Sequence, residues 1–170
     1  MNAVNDIRPF RLSEFRTAPA RTLGISILLL LRYLMALFFL GSSVNKISTG
    51  WLWSDYARGV FESRLAELDP ATFSAKVLSQ FAIPRYPLIA WVVTLSVIAV
   101  TISLALGLAT RFGGALAVWL MVMFAIGGYY DASLIPLWLI AALFVIFPTG
   151  QWFGLDRRLH ARYSASPWFR

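Results

Sequence analysis

The stretch Leu23–Lys46, LGISILLLLRYLMALFFLGSSVNK, does most to limit what this chain can fold into. A helix rises ~1.5 Å per residue and a crossing takes ~20 residues, so the run is long enough to span a bilayer. One arginine, Arg32, lies inside it, nine positions after Leu23 and so near mid-span. Lipid does not solvate a guanidinium. It needs another side chain, backbone carbonyls, a water-filled cavity or a bound head group. Whatever fold forms must supply one of these.

Only 14% of the 170 residues are charged and 59% are hydrophobic; a soluble domain carries about a quarter charged residues. The chain therefore reads as an integral membrane protein, with a length that suits one compact helical bundle. Cysteine is absent, which removes disulfides, thiolate nucleophiles and Cys-based metal sites. The single histidine, His160, lies in a basic segment, so no metal site is expected from this chain. Residues 1–22 are polar, with Asp6 and Glu14 among their arginines, and the apolar run after them exceeds a signal h-region. That run is expected to be an uncleaved first transmembrane helix.

Further along, residues 54–81 carry two helix-spaced apolar stripes, Tyr56, Val60, Phe61, Leu65 and Leu68, then Phe73, Val77, Leu78 and Phe81. They predict two short amphipathic helices over one mouth of the bundle, with Asp69 capping the second. Pro87 to Leu108 has no charge, and Ala99, Ser103 and Gly107 form a small-residue ridge for close packing. Gly113, Ala117, Met121 and Ala125 repeat that spacing after a tight hairpin at Ala109-Thr110-Arg111.

The expected fold is all-α, an integral membrane four-helix bundle with short amphipathic helices between its first and second crossings. The crossings are placed at 23–43, 87–108, 112–130 and 132–148, within a 23–156 domain flanked by tails at 1–22 and 157–170. Four crossings leave both termini on one side. That side holds nine arginines against Asp6, Glu14 and Asp156, whereas the other balances five bases with five acids. The positive-inside rule then gives cytoplasmic N and C termini in a bacterial or archaeal inner membrane. Topology and anionic lipid account for the positive charge, so nucleic acid is not an expected partner.

The motifs of nucleotide-binding and hydrolytic enzymes are absent, and no acid or histidine lies within the four spans. Three polar features remain. Arg32 either forms a structural ion pair with Asp156, carried inward by a re-entrant GQWFGLD segment, or contacts a ligand such as a quinone carbonyl or lipid phosphate. Lys46, with Asn45, Trp51, Trp53 and Tyr56, either anchors the interface or lines an electropositive, aromatic ligand entrance. Asp131, after Gly127-Gly128-Tyr129-Tyr130, is positioned to pair with Lys46 or Arg85.

Several of these residues carry a resemblance. Arg32 with Ala36, Phe39 and Leu40, Lys46 fourteen residues on, the LALGLATR stretch around Gly107 and Arg111, and Gly150 with Gly154-Leu155-Asp156 together resemble the DoxX/DoxD group. Members are small four-helix membrane proteins, and the chain is similar to the DoxD-like branch, which resembles the small subunit of thiosulfate:quinone oxidoreductase. Val97 stands where the family often has a glutamate, and Ser42 and Ser43 where it has a histidine or glycine. The resemblance implies a membrane subunit of a quinone-linked oxidoreductase complex. Arg32, with Lys46, would orient a quinone or an anionic ligand while other membrane subunits carry the electrons. The alternative is a non-catalytic accessory subunit that anchors or stabilises a larger assembly; a carrier for a neutral solute comes third.

Overall fold

The computed structural model describes residues 18–132 and 134–163; expectations that fall on 1–17 or 164–170 lie outside these. Among the described residues every regular element is helical. Helix α1 (Pro19–Ser48) starts with proline in its first turn, where the missing N–H costs nothing. It outruns the expected 23–43 at both ends. At its far end Ser43 Oγ donates to Phe39 O and Lys46 Nζ to Ser42 Oγ, so the polar SSVNK residues are satisfied within the helix and do not break it.

The loop helices follow. Helix α2 (Tyr56–Glu67) buries Ala57 and Phe61. Helix α3 (Phe73–Val77) is capped by Thr72, whose hydroxyl accepts from Ala75 N at 3.2 Å. The expected cap, Asp69, instead closes a turn by accepting from Ala71 N. Directly after α3, Leu78–Ala82 widens into a π-turn closed by Ile83 N on Leu78 O. That extra residue shifts the stripe. Leu78 and Ala82 are buried, while Phe73 and Phe81 face outward, contrary to the expected stripe.

Helices α4 (Tyr86–Leu106) and α5 (Thr110–Ile126) are joined by Gly107-Leu108-Ala109, two residues ahead of the expected hairpin. Helix α6 (Leu134–Ile146) is shorter than 132–148. It gives way at Pro148 to α7 (Thr149–Trp152) and then α8 (Asp156–Arg162). Two helices, α1 and α4, are long and apolar enough to cross a membrane; α5 and α6 are shorter apolar helices.

Four helices share one core. Met35, Ala36 and Phe39 of α1 meet Val97, Val100 and Leu104 of α4, Ala117 and Leu120 of α5, and Ala141 and Phe144 of α6. Val97, at the position where a glutamate was a family expectation, is wholly buried there. A second cluster roofs the Lys46 end, with Phe61, Leu78 and Ala82 at its centre and Trp51, Leu65 and Leu68 around it.

Two adjacent glycines make α5 the tightest element. A Cβ on Gly113 would lie 2.1 Å from Ser103 Oγ of α4, and one on Gly114 would lie 3.0 Å from both Ala141 O and Phe144 Cβ of α6. Helix α5 can approach both neighbours only because neither position carries a side chain. Gly114→Leu is therefore expected to force α5 and α6 apart and cost about 2–4 kcal/mol, as overpacking against backbone does. A lowered melting temperature in mild detergent checks this, with Gly24→Leu as control, since a Cβ on Gly24 meets nothing within 4 Å.

Candidate functional site

The polar groups gather at the two ends of the bundle. At one end the fully buried Arg32 reaches from α1 to the level of the α4–α5 turn. Its Nη1 donates to Thr149 O at 2.8 Å, and its Nη2 to Phe153 O at 2.6 Å and Tyr33 Oη at 2.9 Å. Two of these acceptors are carbonyls of α7 and the residue after it; Thr149 O also accepts from Phe153 N at 3.3 Å and uses its second lone pair for Arg32. Arg32 Nε has no acceptor among the described residues.

Asp156 sits in the same knot but serves other partners. Its carboxylate accepts from Ala109 N, from Thr110 N at 3.0 Å and from Thr110 Oγ1 at 2.9 Å. Those amides open α5, where a carboxylate is favoured by both free N–H groups and the helix dipole. Leu155 N and Asp156 N in turn donate to Leu106 O and Gly107 O, closing the end of α4. The expected direct pairing of Arg32 with Asp156 is thus replaced by bonds from each charge to backbone. The two still attract one another electrostatically. The geometry has a simple reason: three helix ends converge here, and each charge is drawn to the free backbone groups of opposite polarity.

Glycines let the strands of the knot touch. A Cβ on Gly107, at φ +63°, would lie 2.7 Å from Gly154 Cα and 3.2 Å from Arg32 Nη1, and one on Gly150 would lie 2.2 Å from Asp156 Oδ2. Thr110 completes the network by accepting from Gly150 N at 3.2 Å. Ala109 is the sole non-glycine with positive φ among the described residues, and the Asp156 carboxylate holds its N–H.

The other end is built differently. Lys46 lies fourteen residues beyond Arg32 on α1, about 21 Å along the axis. Its Nζ donates to Ser42 Oγ at 3.1 Å and stands 5.2 Å from the centre of the Trp51 ring. An ammonium carries three donors, so two remain for another partner. The Trp51 indole N–H is buried with no acceptor among the described residues. Both residues line a chamber of about 270 Å³ whose walls include Phe61, Phe124, Tyr129 and Leu134. Asn45, expected beside them, is exposed, and its carbonyl accepts from Thr49. Among the described residues no three His, Asp or Glu side chains gather as metal ligands.

Helix α2 covers this chamber and is latched to the α5–α6 turn. Arg64 donates through Nε to Gly128 O at 2.9 Å and through Nη1 to Glu67 at 2.6 Å, with its guanidinium 5.5 Å from the Tyr129 ring centre. Tyr129 Oη donates to Val60 O at 3.2 Å. Arg64 is thus a basic residue at the Gly127–Asp131 turn; Lys46 bonds Ser42, and Arg85 donates to Gln80 O beside the Phe81 ring. The sequence hid Arg64 because a loop-helix arginine next to an acid, Glu67, reads as a surface ion pair.

Two expectations follow. Arg32→Leu removes the charged donor from the carbonyls of Thr149 and Phe153 and is expected to cost about 2–4 kcal/mol, with Asp156→Asn comparable because it turns an N–H donor toward N–H donors. Thermal unfolding in detergent measures both, and an unchanged midpoint in the two variants would rule out a structural knot. The second concerns the latch. Burial pushes the Tyr129 hydroxyl above its ordinary 10.0 by disfavouring the phenolate. Its bond to Val60 therefore contributes fully below that ordinary value and is lost as pH rises through the raised one. A spin label at the exposed Ser63 should gain mobility in that alkaline range, and Tyr129→Phe should abolish the step.

No curated protein and no solved structure matches this chain. The family model described as DoxX matches residues 27–129, from within α1 through the α5–α6 turn, and stops short of Gly150 and the Gly154–Asp156 segment. Arg32, Lys46, Trp51 and Gly107 all fall inside that match, which covers more than half of the sequence. The chain therefore belongs to the DoxX family, whose members are generally membrane proteins associated with quinone oxidoreductases.

Proposed function

We propose that this protein is a four-pass membrane subunit of a quinone-linked oxidoreductase assembly, and that its ligand site is the Lys46–Trp51 chamber. The carrying observation is the pair of donors there. The Lys46 ammonium has hydrogens to spare, the Trp51 indole N–H is orphaned, and the two meet at one small, largely apolar space. A flat ring bearing a carbonyl or other acceptor satisfies all three features. A bound quinone supplies reversible two-electron, two-proton chemistry. The chain's own part is to hold it, with Lys46 and Trp51 donating to its acceptor while α2 and Phe61 keep water out. Electrons come from other subunits.

Arg32 takes a different part in this reading. Its two terminal nitrogens donate to the chain's own carbonyls and to Tyr33, so in this reading it secures the fold of the subunit and orients no quinone. The four-pass topology rests on α1, α4, α5 and α6 sharing one core while showing apolar side chains outward, such as Leu37, Leu95, Trp119 and Leu139. The 13 residues of α6 fall short of ~20 for a full crossing. Pro148 and α7 prolong it, and their irregular backbone is satisfied inside the knot, the condition under which such backbone survives at membrane depth. The Arg32 knot and α8 with Arg157, Arg158 and Arg162 lie on the cytoplasmic side in this topology, with α2 and α3 outside.

The use of both Arg32 terminal nitrogens within the chain favours a second reading, an accessory subunit that anchors a larger assembly without binding a quinone. Equilibrium binding of a tail-less quinone to the purified protein in nanodiscs separates the two. Lys46→Met and Trp51→Phe are each expected to weaken binding by about tenfold or more, the loss of one hydrogen bond to a ligand, while Arg32→Lys leaves it unchanged. Absence of binding to the wild type refutes the quinone reading and leaves the accessory one.

A further inference from the structure

Resting on that reading, the geometry points to the form of the ligand. We infer that it is a long-tailed quinone entering from the bilayer between α5 and α6, with its head in the Lys46 chamber and its isoprenoid tail along an outer groove. The groove holds about 440 Å³ and is walled by Phe73 of α3, Met121 and Ala125 of α5, and Leu134, Ile135 and Trp138 of α6. Leu134 lines the chamber as well. On α5 and the turn after it, neighbouring residues divide between the two spaces. Phe124 and Tyr129 face the chamber, while Ala125 and Tyr130 face the groove. Leu134 thus stands between chamber and groove as a common wall, and in this inference its side chain is the threshold between them.

Size and polarity support one occupant for both. A chamber of about 270 Å³ falls below the ~300–1,000 Å³ of ordinary small-molecule sites, and adding the groove brings the site well inside that range. Polar groups sort along its length. Lys46 and Trp51 line the chamber and not the groove, and the groove offers almost wholly apolar walls between two helices whose exposed faces are apolar. A tail there exchanges one apolar surrounding for a better-packed one, so its gain comes from shape and from being tethered to the held head. The exposed Phe73, at the start of α3, forms part of the groove's wall.

The test compares a tail-less quinone with the same ring carrying a ten-unit isoprenoid tail, both added to the intact protein in nanodiscs of fixed lipid composition. Bound quinone is measured by extraction after the discs are isolated, with empty discs subtracted. The wild type is expected to hold the tailed form at least tenfold more tightly. Ala125→Trp, and independently Ile135→Trp at an exposed position, should fill the groove and erase that preference while tail-less binding stays as in the wild type. Equal affinity for the two forms in the wild type overturns the inference and leaves the chamber reading standing. So does a preference that survives both variants, as when a phospholipid chain or a partner's helix fills the groove. Failure of the wild type to bind either form refutes the chamber reading, and this inference with it.

Discussion

Inside a layer without water, the free N–H and C=O groups at a helix end must be answered by the protein itself. Everything at the Arg32 end of this bundle follows from that requirement. The end of α4, the start of α5 and the short α7 converge there, each presenting unmatched backbone groups. One carboxylate takes the amides of Ala109 and Thr110, one guanidinium takes the carbonyls of Thr149 and Phe153, and the backbone of Leu155 and Asp156 closes the end of α4. Two charges that are costly to bury alone become tolerable because each is paired with the dipoles it suits. The near-contact of Gly107 with Gly154 is what brings these partners within reach.

This arrangement also explains why the chain can leave the bundle through an irregular segment. After α6, Pro148 prevents a continuous helix, and after the short α7 the chain starts again as α8 eight residues later. In lipid such a break is normally excluded. Here its carbonyls are taken by Arg32 and its amides by α4, so the break is sealed within protein. The strain of Ala109, a non-glycine in the left-handed region, is held in place by the same carboxylate.

Much of this was legible in residues, and the rest was hidden for physical reasons. Arg32 announced itself, because a cation in an apolar run must be answered, but its sequence cannot say whether a carboxylate or a carbonyl answers it. Asp156 was the visible acid, and backbone carbonyls leave no mark in a sequence. The small residues of α4 and α5 correctly predicted close contact, since Ser103 and Gly113 do touch. Helix α1 continues past its serines because they can bond back to the preceding turn. The π-turn breaks the 3.6-residue period that would align Phe81 with Leu78, while Phe73 is exposed at the start of α3, ahead of that turn. Trp51 looked like an interfacial anchor; only the tertiary fold turns it under Phe61 and beside Lys46.

The two cations of α1 also divide the labour according to their chemistry. Arginine presents a rigid planar fork of five donors, suited to several fixed carbonyls at once, and it keeps its charge when buried. Such a group makes a permanent fastening. Lysine presents a compact charge on a flexible stem, with three donors free to rotate, and here its own chain answers one of them. A group of that kind can follow a ligand that arrives, shifts and leaves. On the proposed function, the order of the two along one helix separates a fixed fastening from the end assigned to the ligand, with about 21 Å of packed core between them.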